Sequence, residues 1–205
     1  MPVIVIANPK GGVGKSTLAT QVAGCLATAG HAVMLGDVDR QQSARQWLAL
    51  RPPQAAPITS WDAAADDIVR PPKGTTHVVL DTPAGLHGKR LEAVLRIAER
   101  LIVPLQASLF DIQATHKFLD ELRHHKRAAA IETVLVGNRV REHTRAVEQL
   151  QRYVATLPMP VLAWLRETQN YVQLAAHGLT LFDVARGRVE RDLEQWAPLT
   201  AWLRR

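Results

Sequence analysis

A glycine-rich stretch at residues 7–17 reads ANPKGGVGKST. The apolar run VIVI at residues 3–6 precedes it, and apolar residues recur at helical spacing over residues 18–29. In a strand–loop–helix unit of this kind, glycines let backbone N–H groups crowd around an anion because no Cβ stands in the way. The N-terminus of the following helix adds partial positive charge and free donors. The stretch therefore predicts a phosphate-binding loop.

Two side chains of the loop suit a nucleotide bound with Mg²⁺. Lys15 is placed to neutralise the β- and γ-phosphates, and the Ser16 hydroxyl is placed to hold Mg²⁺. The common pattern G-x-x-x-x-G-K-[ST] does not match, because its first glycine would fall at Pro9, and an extra lysine, Lys10, stands before a glycine pair. The alternative is a glycine turn with two solvated lysines, which the length of the match in this context disfavours.

The segment KGGVGKST at residues 10–17 resembles the deviant Walker A motif, K-G-G-x-G-K-[ST], of the ParA/MinD-type ATPases. The resemblance implies binding of ATP or ADP with Mg²⁺, catalytic roles for Lys10 and Lys15, and an ATP-dependent homodimer in which Lys10 reaches the nucleotide of the partner. Gly12 would allow the close approach of the two copies. The nucleotide-binding residues of this segment would be Lys10, Gly11, Gly12, Val13, Gly14, Lys15, Ser16 and Thr17.

Two carboxylates follow the next apolar run, in the segment DVDRQ at residues 37–41. The carboxyl ends of parallel strands face one crevice, so Asp39 could orient a water near the γ-phosphate or hold a water of Mg²⁺. The segment is similar to the D-x-D-P-Q switch I of the family, which assigns hydrolysis to Asp39 and a supporting role to Asp37. Arg40 stands where the family usually has proline, so a different local backbone is expected. Without the upstream loop, a capped, solvated turn would be the better interpretation.

A third predicted strand ends at Asp81, the first residue of the segment DTPAG at residues 81–85. An apolar strand that ends in an aspartate is the Walker B arrangement, in which the carboxylate holds Mg²⁺, often through water. The segment resembles the switch II of the family, D-x-P-P/A-G, which makes Asp81 a metal-site residue. Gly85 would allow a backbone flip when the γ-phosphate is bound.

Nucleotide-base recognition is predicted after the apolar run at residues 133–137. Asn138 follows this run, and its amide offers both a donor and an acceptor to a purine edge. The family has an Asn-Arg or Asn-Lys pair here, so the resemblance assigns Asn138 and Arg139 to the nucleotide; an isolated Asn would more often belong to a turn. Residues 104–111 are similar to a dimer-face segment of small ParA-like proteins, although Asp111 itself better suits the N-cap of a helix over residues 112–124.

Composition limits the remaining possibilities. A chain of 205 residues suits one domain, no run approaches the ~18 apolar residues of a membrane span, and no signal peptide is expected. Cys25 cannot form an internal disulfide, which fits a reducing cytoplasm, and it suits a core position. Because the loop begins close to Met1, the DNA-binding domain that precedes it in larger ParA proteins is expected to be absent.

The net charge of +6 makes an anionic polymer a candidate partner. Basic residues outnumber acidic ones over residues 123–152, and no aromatic ladder interleaves them, which favours salt-sensitive contacts with duplex phosphates over base stacking. The basic residues of this region are Arg123, Lys126, Arg127, Arg139, Arg141, Arg145 and Arg152.

Two further segments are not assigned to the nucleotide site: a C-terminal helix with two possible locations, and a short helix whose residues indicate no chemistry. A terminal helix over residues 186–205 places Trp196, Leu199, Trp202 and Leu203 on one face, either packed on the sheet, which we favour, or lying on a membrane as in MinD; Pro198 is expected to interrupt it. A short helix is expected to open near Ser60 and to extend through residue 69.

The sequence as a whole predicts a single α/β domain over residues 1–205, with a doubly wound, mostly parallel sheet flanked by helices, of the P-loop NTPase, SIMIBI type. The resemblance is closest to small ParA-like partition proteins. It implies weak basal ATP hydrolysis stimulated by a ParB-like or other adaptor, non-specific binding to double-stranded DNA, a cytoplasmic, nucleoid-associated location, and segregation of a plasmid, chromosome or other cargo.

The sequence leaves three alternatives open. One is a MinD-like membrane-associated positioning ATPase. Another is a metabolic enzyme with the same loop, such as a relative of dethiobiotin synthetase; an iron-protein-like reductase fits poorly because its cluster needs cysteines and the chain has only Cys25. The third is a scaffold that uses nucleotide only for folding.

Overall fold

The computed structural model describes residues 1–62 and 71–205, with the backbone alone for residues 109–112. Seven strands of the described chain form one sheet in the order β3-β2-β4-β1-β5-β6-β7, and every neighbouring pair is parallel. The strands are β1 (Val3–Ile6), β2 (Val33–Asp37), β3 (Ile58–Trp61), β4 (His77–Asp81), β5 (Arg100–Leu105), β6 (Glu132–Val140) and β7 (Val161–Arg166). The predicted α/β class with a parallel sheet is confirmed.

Helices cover both faces of this sheet. They are α1 (Lys15–Thr28), α2 (Ser43–Ala49), α3 (Gly88–Ile97), α4 (Leu109–His124), α5 (Arg145–Val154), α6 (Gln169–Ala175) and α7 (Arg186–Leu203). Two short 3₁₀ turns, Ala128–Ala130 and Leu181–Asp183, complete the described elements. No helix among the described residues is long and apolar enough to cross a membrane.

The alternation of side chains along β1 explains why both faces need helices. Ile4 and Ile6 belong to the core beneath α1, α2, α6 and α7, whereas Val3 and Val5 belong to the core beneath α3, α4 and α5. All residues of β1 are buried, as expected for a central parallel strand covered on both sides. Cys25 lies in the first of these cores, as its place in the helical pattern indicated.

The terminal helix packs on the sheet. The four apolar residues predicted to share a face are buried in the first core, and Trp196 is fully buried. The expected interruption at Pro198 is wrong, because α7 runs through it; the non-helical residue is Val189, near the start of the helix. The apolar face of α7 is therefore part of the protein core and is not exposed on the surface.

Two other local predictions need correction. Ser60 and Trp61 belong to β3, which pairs with β2, so the helix expected to open at Ser60 is wrong there; its remainder, residues 63–70, lies outside the described residues. Asp111 is the third residue of α4 and is preceded by the N-cap Ser108, so its assignment as an N-cap is wrong. The pairing of β3 with β2 sets the structure at Ser60, and the end of β5 sets the start of α4. Each outweighs a local capping preference.

Candidate nucleotide-binding site

Strand register brings the three predicted segments to one edge of the sheet. Asp81, the last residue of β4, pairs with Ile6 of β1 on one side and with Asp37 of β2 on the other. Because all three strands run in parallel, the loop after β1 and the carboxylates that end β2 and β4 share the carboxyl edge of the sheet. The structure therefore assembles residues that lie more than seventy positions apart in the sequence around one crevice.

Hydrogen bonds within the chain hold the glycine-rich loop. The buried Asn8 donates from Nδ2 to the carbonyl of Pro104 at 2.8 Å and to the Thr115 hydroxyl at 3.0 Å, and its Oδ1 accepts the Lys10 N–H at 2.9 Å. Asn8 thus ties the loop to β5 and α4. This role was not predicted from the sequence, although a polar residue two positions after a wholly apolar strand was an available signal.

The Lys15 side chain turns back into the loop. Its Nζ donates to the Lys10 carbonyl oxygen at 2.8 Å, and only 7% of the residue is exposed. Burial lowers the pKa of the Lys15 ammonium, while the nearby carboxylates of Asp81 and Asp39 act in the opposite direction. Burial removes water from the Lys15 ammonium, and phosphate oxygens can take the place of that water. A cation in this position at the start of a helix is therefore well placed to bind an anion.

Asn138 packs against the underside of the loop. Its Nδ2 donates to the carbonyl of Val13 at 2.8 Å, and a Cβ built on Gly14 would lie 2.2 Å from that nitrogen. Gly14 has φ 90°, a left-handed backbone conformation that residues with a Cβ rarely adopt. Both the backbone conformation and the available space therefore require glycine at this position. The predicted contact of Asn138 with adenine stays a prediction.

Arg139 occupies an irregular position in β6 instead of following the strand. It is exposed and has φ 50°, and the pairing of β6 with β7 shifts register between Gly137 and Val140. The extra residue of such a bulge bends the strand and redirects neighbouring side chains. Asn138 consequently points to the loop while Arg139 points to solvent, and the nucleotide contact predicted for Arg139 stays a prediction.

The Asp81 carboxylate is buried without a hydrogen-bond partner. The residue is 0% exposed, and neither carboxylate oxygen has a donor of acceptable hydrogen-bond geometry among the described residues. Burial raises the pKa of the Asp81 carboxyl to about 7. The Ser16 hydroxyl and the Lys15 ammonium oppose this rise, whereas the charges of Asp37 and Asp39 add to it. The contact with Ser16 is therefore polar but falls outside hydrogen-bond geometry.

This orphaned carboxylate and the Ser16 hydroxyl form a donor set that fits Mg²⁺. Mg²⁺ prefers oxygen ligands and is usually bound by one or two protein groups together with phosphates and water. No group of three or more His, Cys, Asp or Glu residues capable of holding a metal occurs in the part of the chain that is described. Two protein oxygen ligands, from Ser16 and Asp81, suit a cation that arrives with phosphates.

Asp37 has a structural role at the start of α2. Its Oδ2 accepts the N–H groups of Ala44 and Arg45 at 2.8 Å and 3.3 Å, and its Oδ1 accepts the Asp39 N–H at 2.9 Å. Burial raises the pKa of the Asp37 carboxyl, and these three backbone donors lower it. The carboxylate thus caps the helix from a distance, because it accepts helix N–H groups that Gln42, the N-cap residue with φ 51°, leaves unpaired.

Asp39 lies at the crevice with one carboxylate oxygen engaged by its own turn. Oδ1 accepts the N–H of Gln41 at 3.0 Å, and the residue is half-buried. The local backbone is fixed by Gln42, whose side-chain amide donates to the carbonyls of Asp37 and Asp39 at 2.8 Å and 2.7 Å. A carboxylate held this way next to the glycine-rich loop can accept a proton from, or orient, a water molecule.

Two more segments contact the loop from the sides. The Gly85 N–H donates to the Pro9 carbonyl at 2.7 Å, and the Thr82 hydroxyl donates to the Ile6 carbonyl at 2.8 Å, so the segment after β4 is tied to the base of the loop. On the other side, Gln106 Nε2 donates to the Gly12 carbonyl at 3.1 Å. These hydrogen bonds connect the loop to the segment that follows Asp81 and to Gln106.

A glycine-rich loop between a buried strand and a helix, with a buried lysine and an aspartate at the end of a neighbouring strand, defines a P-loop nucleotide-binding protein. The chain belongs to the CobQ/CobB/MinD/ParA nucleotide-binding domain family, whose match spans residues 4–181. That match includes the loop, both carboxylate segments and Asn138.

Comparison with known proteins agrees with this assignment. A relative from Gloeobacter kilaueensis named maintenance of carboxysome distribution protein A is 27% identical over 94% of this chain and 88% of its own length. A Cyanothece McdA–ATP complex has a TM-score of 0.68 at 16% identity and covers 97% of this chain and 96% of its own. The septum site-determining protein MinD from Pyrococcus horikoshii, complexed with Mg-ADP, has a TM-score of 0.72 at 17% identity over 97% and 94% of the chains.

Proposed function

We propose that the chain is an ATPase of the positioning branch of its family, and that it binds ATP with Mg²⁺ at the loop. The observation that carries this proposal is the unpartnered Asp81 carboxylate beside Ser16, next to the buried Lys15 ammonium. Gly11 to Thr17 would surround the phosphates, and Ser16 with Asp81 would hold the metal. The bound Mg²⁺ would neutralise phosphate charge during transfer.

Hydrolysis would depend on Asp39. Its carboxylate lies at the same crevice as Lys15. Burial lowers the pKa of the Lys15 ammonium, and the negative charge of Asp39 acts to raise it. Asp39 would position the attacking water, while Lys15 would stabilise the charge that develops on the transferred phosphoryl group. Asp37, engaged by the backbone of α2, would hold Asp39 in place without touching the nucleotide.

The nucleotide would also join two copies of the chain. Gly11 and Gly12 are exposed, and nothing lies within 4 Å of a Cβ built on Gly12, so this side of the loop is open to close approach. Lys10, half-buried at the edge of the loop, would reach the phosphates of the partner. Hydrolysis would remove the γ-phosphate that both copies share and would release the dimer.

Non-specific DNA binding would follow from the net positive charge. Arg139, Arg145 and Arg152 are exposed on β6 and α5, although Arg152 lies 3.8 Å from Glu148. Each phosphate contact is weak and sensitive to salt, so a monomer would bind duplex DNA poorly. A dimer presents two such surfaces at once, and ATP would therefore switch DNA affinity through avidity.

The nature of the cargo would follow the named relatives only in outline. Their names include carboxysome distribution and septum-site determination, which favours positioning over the metabolic reactions of other family members. A ParB-like or other adaptor would stimulate hydrolysis and link the ATPase to its cargo at the nucleoid, in the cytoplasm. The MinD-like membrane alternative gains no support from α7, because its apolar face is buried.

The test is retention of a random-sequence duplex by the protein with ATP, with ADP and without nucleotide, all with Mg²⁺. Tight retention is expected only with ATP, and it should weaken steeply as salt rises. A parallel sedimentation with anionic liposomes should show no ATP-dependent binding. Liposome binding without DNA binding would replace the proposal with the membrane alternative.

A further inference from the structure

An apolar pocket opens at the edge of the sheet opposite the nucleotide edge. Its volume is about 310 Å³, and it lies between the ends of α3 and α4, the first residues of β5 and β6, and the loop before β7. Its apolar walls are formed by Leu95, Leu101, Leu122, Ile131, Pro158 and Met159. This volume lies at the lower end of the ~300–1,000 Å³ typical of ligand sites, so it suits one bulky side chain.

A basic pocket of about 250 Å³ adjoins the apolar one, and His125 lines both. Four cationic residues line the second pocket with one acid, Glu92, and Arg123 stands at the first. The four cations are Lys89, Arg96, Lys126 and Arg127. We call the two pockets together the α3–α4 surface.

The wall between the two pockets is preformed. The His125 side chain is 9% exposed, its Nδ1 accepts the Arg127 N–H at 3.3 Å, and its Nε2 therefore carries the proton that is donated to Glu92 at 3.0 Å. The Arg127 guanidinium also donates to the carbonyls of Leu95, at 3.1 Å, and Arg96, at the C-terminal end of α3. Glu92 is thereby engaged within the wall, and the surface keeps an excess of positive charge.

We propose that the α3–α4 surface binds an acidic segment of a partner protein, with one bulky apolar side chain of that segment in the apolar pocket. Charge complementarity specifies the acidic partner, because Arg123 lines the apolar pocket and four cationic residues line the adjoining pocket. A buried apolar anchor beside a charged rim is the usual arrangement of a protein-binding hot spot. The phosphate backbone of DNA would satisfy the cations but has no apolar group to fill the pocket.

The location adds a second property to the proposal. The pocket lies at the amino ends of β5 and β6, whereas Lys15, Asp39 and Asp81 lie at the carboxyl edge. An acidic segment would therefore bind without nucleotide and without a dimer. The proposal goes beyond the nucleotide cycle and does not rest on it.

The binding test uses the full chain without nucleotide and a fluorescent synthetic peptide of Glu and Asp residues around one central Phe. A comparison peptide carries Ser in place of Phe and has the same charge. Fluorescence anisotropy should give an affinity about tenfold higher for the Phe peptide, the gain expected from burying most of an aromatic side chain. Added ATP with Mg²⁺ should leave both affinities unchanged.

A matched pair of variants tests the pocket. Ala128 is half-buried and lines the apolar pocket, whereas Ala129 is exposed in the same 3₁₀ turn and does not line it. Ala128→Phe should fill the pocket and lower affinity for the Phe peptide about tenfold, to that of the Ser peptide, while Ala129→Phe should leave it unchanged. Lys126→Glu should weaken both peptides, and Lys117→Glu, an exposed residue of α4 outside the surface, should weaken neither.

Equal affinity of the wild-type chain for the two peptides would overturn the proposal, and this comparison needs no variant to fold. Equal loss in Ala128→Phe and Ala129→Phe would also overturn it. The proposal would fail as well if Lys126→Glu lowered DNA retention but left peptide binding unchanged, since the basic residues would then serve DNA. Peptide binding that appeared only with ATP would contradict the assigned location.

Discussion

The Lys15 ammonium donates a hydrogen bond of 2.8 Å to the main-chain carbonyl of Lys10, five residues earlier in the loop. The two lysines of the motif are thus in contact through one backbone atom. Arrival of a phosphate offers Lys15 a charged acceptor in place of a neutral one, which is the stronger bond. Binding would therefore release the Lys10 carbonyl from this hydrogen bond, while the Lys10 N–H stays bonded to Asn8.

Lys15→Ala should abolish nucleotide binding, because it removes the buried cation that balances the phosphates. Calorimetric titration of Mg-ATP into the variant measures this directly. Lys10→Ala is the control, since Lys10 is predicted to act on the nucleotide of the partner and its loss should leave binding by the monomer measurable. Micromolar affinity in Lys15→Ala would contradict the assignment of the loop.

Asp39→Ala should leave ATP-dependent dimers intact while stopping turnover. The reason is that its carboxylate is expected to orient water, whereas the contacts that fix the turn come mainly from the backbone and from Gln42. Phosphate release and sedimentation of one preparation give the two readouts. Unimpaired hydrolysis would transfer the role to another residue.

Asp81→Asn should stabilise the nucleotide-free, Mg²⁺-free protein at pH 8 by about 1–3 kcal/mol, because it removes a buried charge that no donor pairs. The native pKa of Asp81, about 7, lies above that of an unfolded Asp, so the native state holds the proton to higher pH. Wild-type stability from this group is consequently lost as pH rises from about 4 through about 7. The gain from the substitution should be smaller at pH 5, where the native carboxyl is still protonated.

Urea unfolding of wild type and Asp81→Asn at pH 5 and pH 8 measures this difference. Asp37→Ala provides the contrast, because it leaves three backbone N–H groups without their acceptor and should destabilise by about 1–2 kcal/mol. A destabilised Asp81→Asn variant at pH 8 would show that the carboxylate is paired in solution.

Gly14→Ala should distort the loop through contact with Asn138 as well as through its own backbone. A Cβ there would lie 2.2 Å from Asn138 Nδ2, and φ 90° adds strain of about 1–2 kcal/mol. Asn138→Ala should relieve the contact but not the backbone strain, so a double-mutant cycle on unfolding free energy should show favourable coupling. Gly12→Ala is the control, with positive φ and no neighbour within 4 Å. Strictly additive effects of Gly14→Ala and Asn138→Ala on the free energy of unfolding would contradict the inferred contact.

The sequence predicts that the segments of the candidate site lie together because each of them follows a buried strand. In a parallel sheet, the carboxyl ends of strands lie at one edge whatever their separation along the chain, so the apolar runs predicted that the segments after β1, β2 and β4 share that edge. The order of the strands was not implicit, because no local pattern places β4 between β1 and β2.

The details that escaped prediction depend on contacts between distant residues. Asn8 is fixed by β5 and α4, and the bulge at Arg139 depends on the pairing of β6 with β7. Ser60 was expected to begin a helix from its capping chemistry, yet pairing with β2 makes it part of a strand. In each case, tertiary pairing outweighs a local preference that the sequence alone displays.

The most direct test of the central proposal is the mass of the protein in solution, measured by light scattering on a sizing column with Mg-ATP, with Mg-ADP and without nucleotide. Asp39→Ala should be used to keep ATP intact, with Asp39→Ala/Lys10→Ala as its partner variant. We expect twice the mass of one chain only with ATP, and a single-chain mass once Lys10 is replaced. A single-chain mass of Asp39→Ala with bound ATP, or a dimer that persists without Lys10, would contradict a nucleotide-closed pair.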